Sequence, residues 1–164
     1  MKFAFCLFDY SPYSGLSRDF LRILTECQNR GHKAEVFVST WEGPHPVGRP
    51  EVTILGNWSD DLRANHVKNE RYYQSLQPKL KARSFDAVIG FNKMPGLNIY
   101  YGADFCYIGR VHKKNTPAYR LTRRYRHRCA FEKAVFGVDS ETLILSISER
   151  EKKIYQEYCH TPDS

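Results

Sequence analysis

Apolar and polar positions alternate along this chain in two rhythms. Residues 2–8 are apolar on both faces, which suits a strand buried in the middle of a sheet. A Ser-Pro-Tyr-Ser-Gly turn (residues 11–15) follows. Leu16, Phe20, Ile23, Leu24 and Cys27 are then spaced three or four apart, as on one face of a helix. That helix is expected to stop near residues 29–31, with Gly31 as its C-terminal cap. Residues 34–40 read as the next strand, 43–50 as a Pro/Gly loop and 52–55 as a short strand. A second helix is predicted over 65–81, bent or ended by Pro78 near its last turn. Residues 87–91 form an apolar strand running into Asn92-Lys93-Met94-Pro95-Gly96. Thr116-Pro117 reads as a cap with a first-position proline, opening a helix to about residue 136. Residues 143–147 are one more strand, and Ser148-Glu149-Arg150-Glu151 is a capping-box pattern opening a last helix. Strand–helix alternation of this kind predicts an α/β fold, a parallel sheet with helices on both faces. Ligands of such sheets bind in the loops after the strands. That directs attention to residues 9–15, 92–96 and the neighbourhood of Asp104.

With 164 residues, 41% hydrophobic and 26% charged, the chain is one ordinary globular domain rather than a disordered or fibrous segment. No apolar run nears the ~18 residues of a membrane span. The apolar stretch at residues 3–8 is too short for a secretory signal, so a cytoplasmic location is expected. The five cysteines are widely spaced and form no C-x-x-C or zinc-finger pattern. Reduced thiols are expected, with Cys6 in the core and no structural metal.

Charge changes the picture. Residues 107–136 hold nine Lys or Arg and one acid, Glu132, for a net +8. The whole chain carries +7, so the remainder is slightly acidic. A patch of this kind attracts a polyanion. At helical spacing, Leu121, Thr122, Tyr125 and Cys129 share one arc and are expected to pack on the sheet. Arg120, Arg123, Arg124, His127 and Arg128 share the other, with Phe131 among them and Arg126 outside. With Lys113 and Lys114, this cationic face carrying an aromatic suits an anionic membrane surface. A solvated face is the plainer reading. Nucleic acid is a rival ligand, and no helix-turn-helix, RNA-recognition or zinc-finger pattern supports it.

The loops hold the polar candidates. Gly15, with Ser14 before it, ends the first loop where a helix N-terminus favours an anion such as a diphosphate; a plain turn is the alternative. Asp19 suits either a first-turn acid or a ligand for a sugar hydroxyl. Asn92 and Lys93 end a strand and suit a polar ligand, or Lys93 is simply solvated. Asp104, among Tyr100, Tyr101 and Phe105, suits a base or sugar-hydroxyl ligand, or a structural hydrogen bond.

Several strings carry a resemblance: residues 14–20 (Ser-Gly-Leu-Ser-Arg-Asp-Phe), 41–43 (Trp-Glu-Gly), 90–97 (Gly-Phe-Asn-Lys-Met-Pro-Gly-Leu), 119–121 and 124–127. Together they resemble the lipopolysaccharide core glucosyltransferase I family, retaining family-4 glycosyltransferases of the two-domain GT-B fold. The resemblance runs from Lys2 to about Thr161. It implies a Rossmann-like domain, residues 1–164, forming the N-terminal, acceptor-side half of a GT-B enzyme whose C-terminal donor-binding domain is missing. It further implies transfer of a glucose-type sugar from a UDP donor to an inner-core heptose at the cytoplasmic face of the inner membrane. No metal or other cofactor is implied. Gly15 would approach the donor phosphate, and Asp19 and Asp104 would line the cleft, Asp104 as the catalytic candidate. Residues 107–136 would associate with the membrane. The family usually has Gly-Gly where this chain has Ser14-Gly15, and Asp where it has Asn98. A fragment of this kind is expected to transfer little or no sugar by itself. The alternative is a stand-alone peripheral membrane or lipopolysaccharide-binding module without catalysis.

Overall fold

The computed structural model describes residues 1–45, 50–56, 65–114 and 117–162, with only the backbone described for Lys114. The chain divides into two compact units, Met1–Asn92 and Lys93–Ser164.

In the first unit, strand β1 (Lys2–Tyr10) is buried along most of its length. Helix α1 (Gly15–Asn29) follows, then β2 (Lys33–Trp41), β3 (Glu51–Ile54), helix α2 (Asn65–Lys81) and β4 (Ala87–Gly90). The strands pair in parallel in the order β3-β2-β1-β4. Alternation along β1 sends side chains to opposite faces. Phe5 meets Phe20 of α1 on one face, and Phe8 meets Tyr72 of α2 on the other. The unit is therefore covered on both faces, as the apolar runs predict. Phe5, Phe20 and Phe37 are fully buried, each contributing about 1.5–3 kcal/mol of apolar burial.

Helix α1 ends as read from the sequence. Gly31 takes φ +79°, and the Gly31 and His32 amides donate to the Gln28 and Cys27 carbonyls at 2.9 and 3.0 Å. Those two bonds make a Schellman closure. Helix α2 runs through Pro78 to Lys81 rather than ending there; a proline this near the terminus costs one backbone bond.

Charges stitch the lower edge of this sheet. Glu35 of β2 pairs with Lys2 of β1 at 2.7 Å and with Arg83, which also reaches Glu51 of β3 at 2.8 Å. Burial raises the Glu35 pKa, but the Lys2 and Arg83 hydrogen bonds outweigh it and hold the carboxyl below its ordinary 4.5. A carboxyl depressed on folding contributes stability above its unfolded pKa and loses it as pH falls through the folded value. Urea unfolding in steps of pH is expected to show stability falling below about pH 4.5. Glu35→Gln is expected to flatten that slope, and an unchanged slope would assign it to other carboxyls.

The second unit holds β5 (Ile99–Gly102), α3 (Tyr107–Lys114), a 3₁₀ turn (Pro117–Leu121), α4 (Arg123–Phe136), β6 (Leu143–Ser146) and α5 (Glu149–Cys159). Strands β5 and β6 pair in parallel. Tyr100 of β5 meets Phe136 of α4 edge-on, and Phe136 stacks on Tyr155 of α5 with centroids 3.6 Å apart.

Two sequence expectations change here. The helix expected from Pro117 is a 3₁₀ turn followed by α4, because Thr122 caps α4 by accepting the Tyr125 amide at 3.2 Å. Thr116, read as the cap, lies outside the described residues. The Ser148 box is half made. Ser148 accepts the Glu151 amide at 3.3 Å, but Glu151 turns its carboxylate to the Cys106 amide at 3.0 Å.

Candidate functional site

In the first unit, the carboxyl ends of β1, β2 and β4 gather the polar candidates. Ser14 caps α1, its hydroxyl facing the Ser17 amide at 3.5 Å. The buried Ser17 hydroxyl accepts the Ser11 amide at 3.2 Å, which fixes the loop. Ser11 donates to Glu42 at 2.7 Å, and Thr40 donates to Asp9 at 2.8 Å. The Trp41-Glu42-Gly43 string is thereby tied to the first loop. Trp41 stacks on Tyr10 at 3.8 Å, and its indole N–H reaches the Pro44 carbonyl.

Gly15 is exposed at the first position of α1. A Cβ there would meet only the Arg18 guanidinium, at 3.8 Å. The chain itself has no need of glycine at this place. Gly15→Ala is accordingly expected to leave the unfolding midpoint unchanged or raise it by up to ~1 kcal/mol equivalent. A clear loss of thermal stability would show a constraint from the fold instead.

Asp19 lies one turn into α1, 3.9 Å from Arg22. Asn92 follows β4 and accepts the Phe8 amide at 2.7 Å through Oδ1. Its carbonyl oxygen thus locks the end of β1, a structural duty that the sequence reading did not assign.

The second unit places Lys93 and Asp104 in a polar cluster. The Lys93 side chain is 12% exposed, and its ammonium lies 2.6 Å from both Glu132 Oε1 and the Phe105 carbonyl. It is not solvated. Glu132 is wholly buried; Oε1 also accepts the Tyr107 amide at 2.8 Å, and Oε2 accepts the Ile108 amide at 2.7 Å. One carboxylate therefore neutralises a buried ammonium and satisfies two orphan donors at the start of α3. Sequence reading counted Glu132 only as the single acid in a basic stretch. The signal available was its place among Cys129, Val135 and Phe136, the buried stripe of α4.

Asp104 is half-buried and accepts the Tyr100 hydroxyl at 3.2 Å, while its carbonyl takes the Tyr155 hydroxyl at 2.9 Å. Burial, then the Asp104 charge, pushes the Tyr100 phenol well up, so Tyr100 stays a neutral donor. Among the described residues, Cys106, Glu132 and Cys159 bring potential metal-ligand atoms within 4.8 Å of one another. The Glu132 oxygens in that group are already taken by Lys93, the two amides and the Cys106 thiol, whose sulfur lies 3.8 Å from Oε2.

The cationic surface needs a correction. Arg123, Arg124 and Arg126 of α4 are exposed, as are Arg110 and Lys113 of α3. Arg120 and Arg128 are half-buried, and Arg128 lies over the Tyr107 ring at 5.3 Å. Phe131, placed on the cationic face by spacing, is 7% exposed and packs beside His127 at 4.1 Å. Leu121, expected on the sheet, is 78% exposed. The reason is the start of α4: beginning at Arg123 leaves Leu121 in the 3₁₀ turn. Cys129, Glu132 and Phe136 then set the buried side. Arg126 joins the exposed cations and Phe131 leaves them. The Lys114 side chain lies outside the described residues.

No protein-family model matches the chain. It is 38% identical over 161 residues to the lipopolysaccharide glucosyltransferase WaaG of Escherichia coli (strain K12), covering 98% of this chain and 42% of that protein. The crystal structure of WaaG, described as a glycosyltransferase involved in lipopolysaccharide biosynthesis, superposes with a TM-score of 0.90 at 39% identity, again over 98% and 42% of the two chains. The chain spans about two fifths of the length of the curated relative it matches. The resemblance read from the strings around Gly15, Trp41 and Asn92 is thus met in sequence and in fold.

Proposed function

We propose that this chain is the N-terminal, acceptor-side part of a lipopolysaccharide glucosyltransferase, one that moves a glucose-type sugar from a UDP donor to an inner-core heptose with retention. The observation that carries the reading is identity of 38% sustained over 98% of the chain, together with a TM-score of 0.90. In this reading the α1 N-terminus with Ser14 and Gly15 faces the donor diphosphate, whose charge suits free helix amides. Asp19 and Asn92 bind sugar hydroxyls. Asp104 acts as the catalytic carboxylate, with Tyr100 setting its orientation. Lys93 serves by holding Glu132 rather than by reaching substrate. The reaction draws on no metal ion, only the UDP-sugar as co-substrate. Arg110, Lys113, Arg123, Arg124 and Arg126, with Leu121 between them in sequence, rest on an anionic membrane at the cytoplasmic face. Donor groups supplied by a second domain are needed for turnover, so the 164-residue chain alone transfers little or no sugar.

The test is an NMR titration of the chain with a heptose-terminated core oligosaccharide and, separately, with UDP-glucose. Shifts at Asp19, Asn92 and Asp104 with the oligosaccharide are expected. Robust turnover by the chain alone would overturn the half-enzyme reading. Binding of anionic vesicles with silence toward both ligands would favour a membrane-binding module without catalysis.

A further inference from the structure

Cys106 directly precedes α3, and Cys159 is the last residue of α5. They are 2% and 5% exposed. Their approach is built into the packing of the two helices. At Gly109, in the first turn of α3, a Cβ would come within 2.9 Å of Ile154 Cγ2 and 3.0 Å of Tyr158 Cδ2. Glycine lets α3 lie against α5 more closely than other residues allow. The two sulfurs fall within 4.8 Å of each other, close enough for each thiol to feel the other's charge state.

The two thiols are not alike. The Cys106 sulfur caps α3, accepting the Gly109 amide at 3.4 Å at the helix end that favours negative charge, while its S–H donates to Glu132 Oε2 at 3.8 Å. Lys93 stands beside the same cluster through Glu132. The neighbouring Cys159 thiol leads, with the Gly109 amide and the Lys93 charge adding to it; against burial and the Glu132 charge, these hold the Cys106 thiol below its ordinary value. Cys6, Cys27, Cys129 and Cys159 all move upward instead, Cys6 by burial. A thiolate-prone sulfur with a second thiol in reach is the arrangement of a redox pair.

We propose that Cys106 and Cys159 form a reversible disulfide under peroxide, with Cys106 as the attacking sulfur and Cys159 as the resolving one. The Cys106 thiolate attacks one oxygen of hydrogen peroxide. The S–O bond forms, the O–O bond breaks, and hydroxide leaves carrying the electron pair. The Cys159 sulfur then attacks the sulfenic sulfur, the S–S bond forms and the S–O bond breaks. Hydroxide departs and takes the Cys159 proton as water. Two thiols and one peroxide become one disulfide and two waters, with both sulfurs oxidised and both peroxide oxygens reduced. The burial that excludes larger thiols admits a small oxidant on local opening and slows re-reduction. The bond ties the start of α3, where the cationic stretch begins, to the end of α5.

The experiment treats the chain with a small excess of hydrogen peroxide, blocks remaining thiols after unfolding, and maps peptides without reduction. Two of the five thiols are expected to be lost to a single Cys106–Cys159 linked pair and restored by dithiothreitol. In Cys159→Ala, a dimedone adduct is expected at Cys106. Cys106 and Cys159 remaining blockable, either one pairing with another cysteine, or oxidation reaching the more exposed Cys27 first would each overturn the proposal. The wild-type map decides the matter even if the variant does not fold.

Discussion

Replacing Glu132 with alanine is expected to lower the unfolding free energy by about 3–5 kcal/mol, the usual cost of stranding one member of a buried ion pair. The Lys93 ammonium would keep its Phe105 carbonyl but lose the carboxylate 2.6 Å away that neutralises it. The Tyr107 and Ile108 amides would lose their acceptor at the same time. At roughly 2–4 °C per kcal/mol for a chain of this size, the melting temperature should drop by about 10 °C. Lys93→Met should cost less, about 1–3 kcal/mol, because the carboxylate then keeps two backbone donors. Glu132→Gln should fall nearer the alanine variant, since it keeps the shape and loses the charge. Urea unfolding of the three variants checks the order. Losses under about 1 kcal/mol in all three would show that water, not Lys93, compensates the carboxylate.

The second large effect concerns binding. Changing Arg123, Arg124 and Arg126 together to glutamine is expected to weaken binding to anionic vesicles on the order of a hundredfold at low salt, from about 1 kcal/mol per cation. These side chains are exposed, so the unfolding midpoint should stay put. Arg128→Gln is the contrasting variant. Its guanidinium covers Tyr107, so it should lower stability and change vesicle binding less. Raising salt should narrow the gap between wild type and the triple variant. Equal vesicle affinity for both at low salt would remove α4 from the membrane surface.

The sequence spoke plainly where periodicity and burial coincide. Strands β1 and β2, α2 from Asn65 to Lys81 and the Gly31 stop all rest on local signals, and they form close to where those signals put them. Strand β5 was missed because Ile-Tyr-Tyr-Gly is four residues long, too short to show a period beside the polar candidates around Asp104. The break at Thr122 was missed because a single 3₁₀ turn is too short to show its own period, and Thr-Pro at 116–117 offers an earlier start signal. Leu121 stays in the turn and faces outward, while the buried side of α4 is wide enough to take in Phe131 beside Cys129 and Glu132. Among the site residues, sequence gave Asn92 and Lys93 a place at a strand end but not their partners, Phe8 and Glu132, which lie 84 and 39 residues away. Nothing local marks such pairings.

The start of α3 has a kinetic consequence. Its first amides are satisfied by carboxylates from α4 and α5, at separations of 45, 25 and 24 residues for Cys106, Tyr107 and Ile108. A helix that borrows its cap from chain still to arrive has little reason to form early, since the loops must close first. Helix α3 should therefore be among the last elements of its unit to consolidate. Once it has, those three amides open only when α4 or α5 lets go. Deuterium should enter them at the rate of the whole unit's unfolding, not at the faster rate at which an ordinary helix end frays.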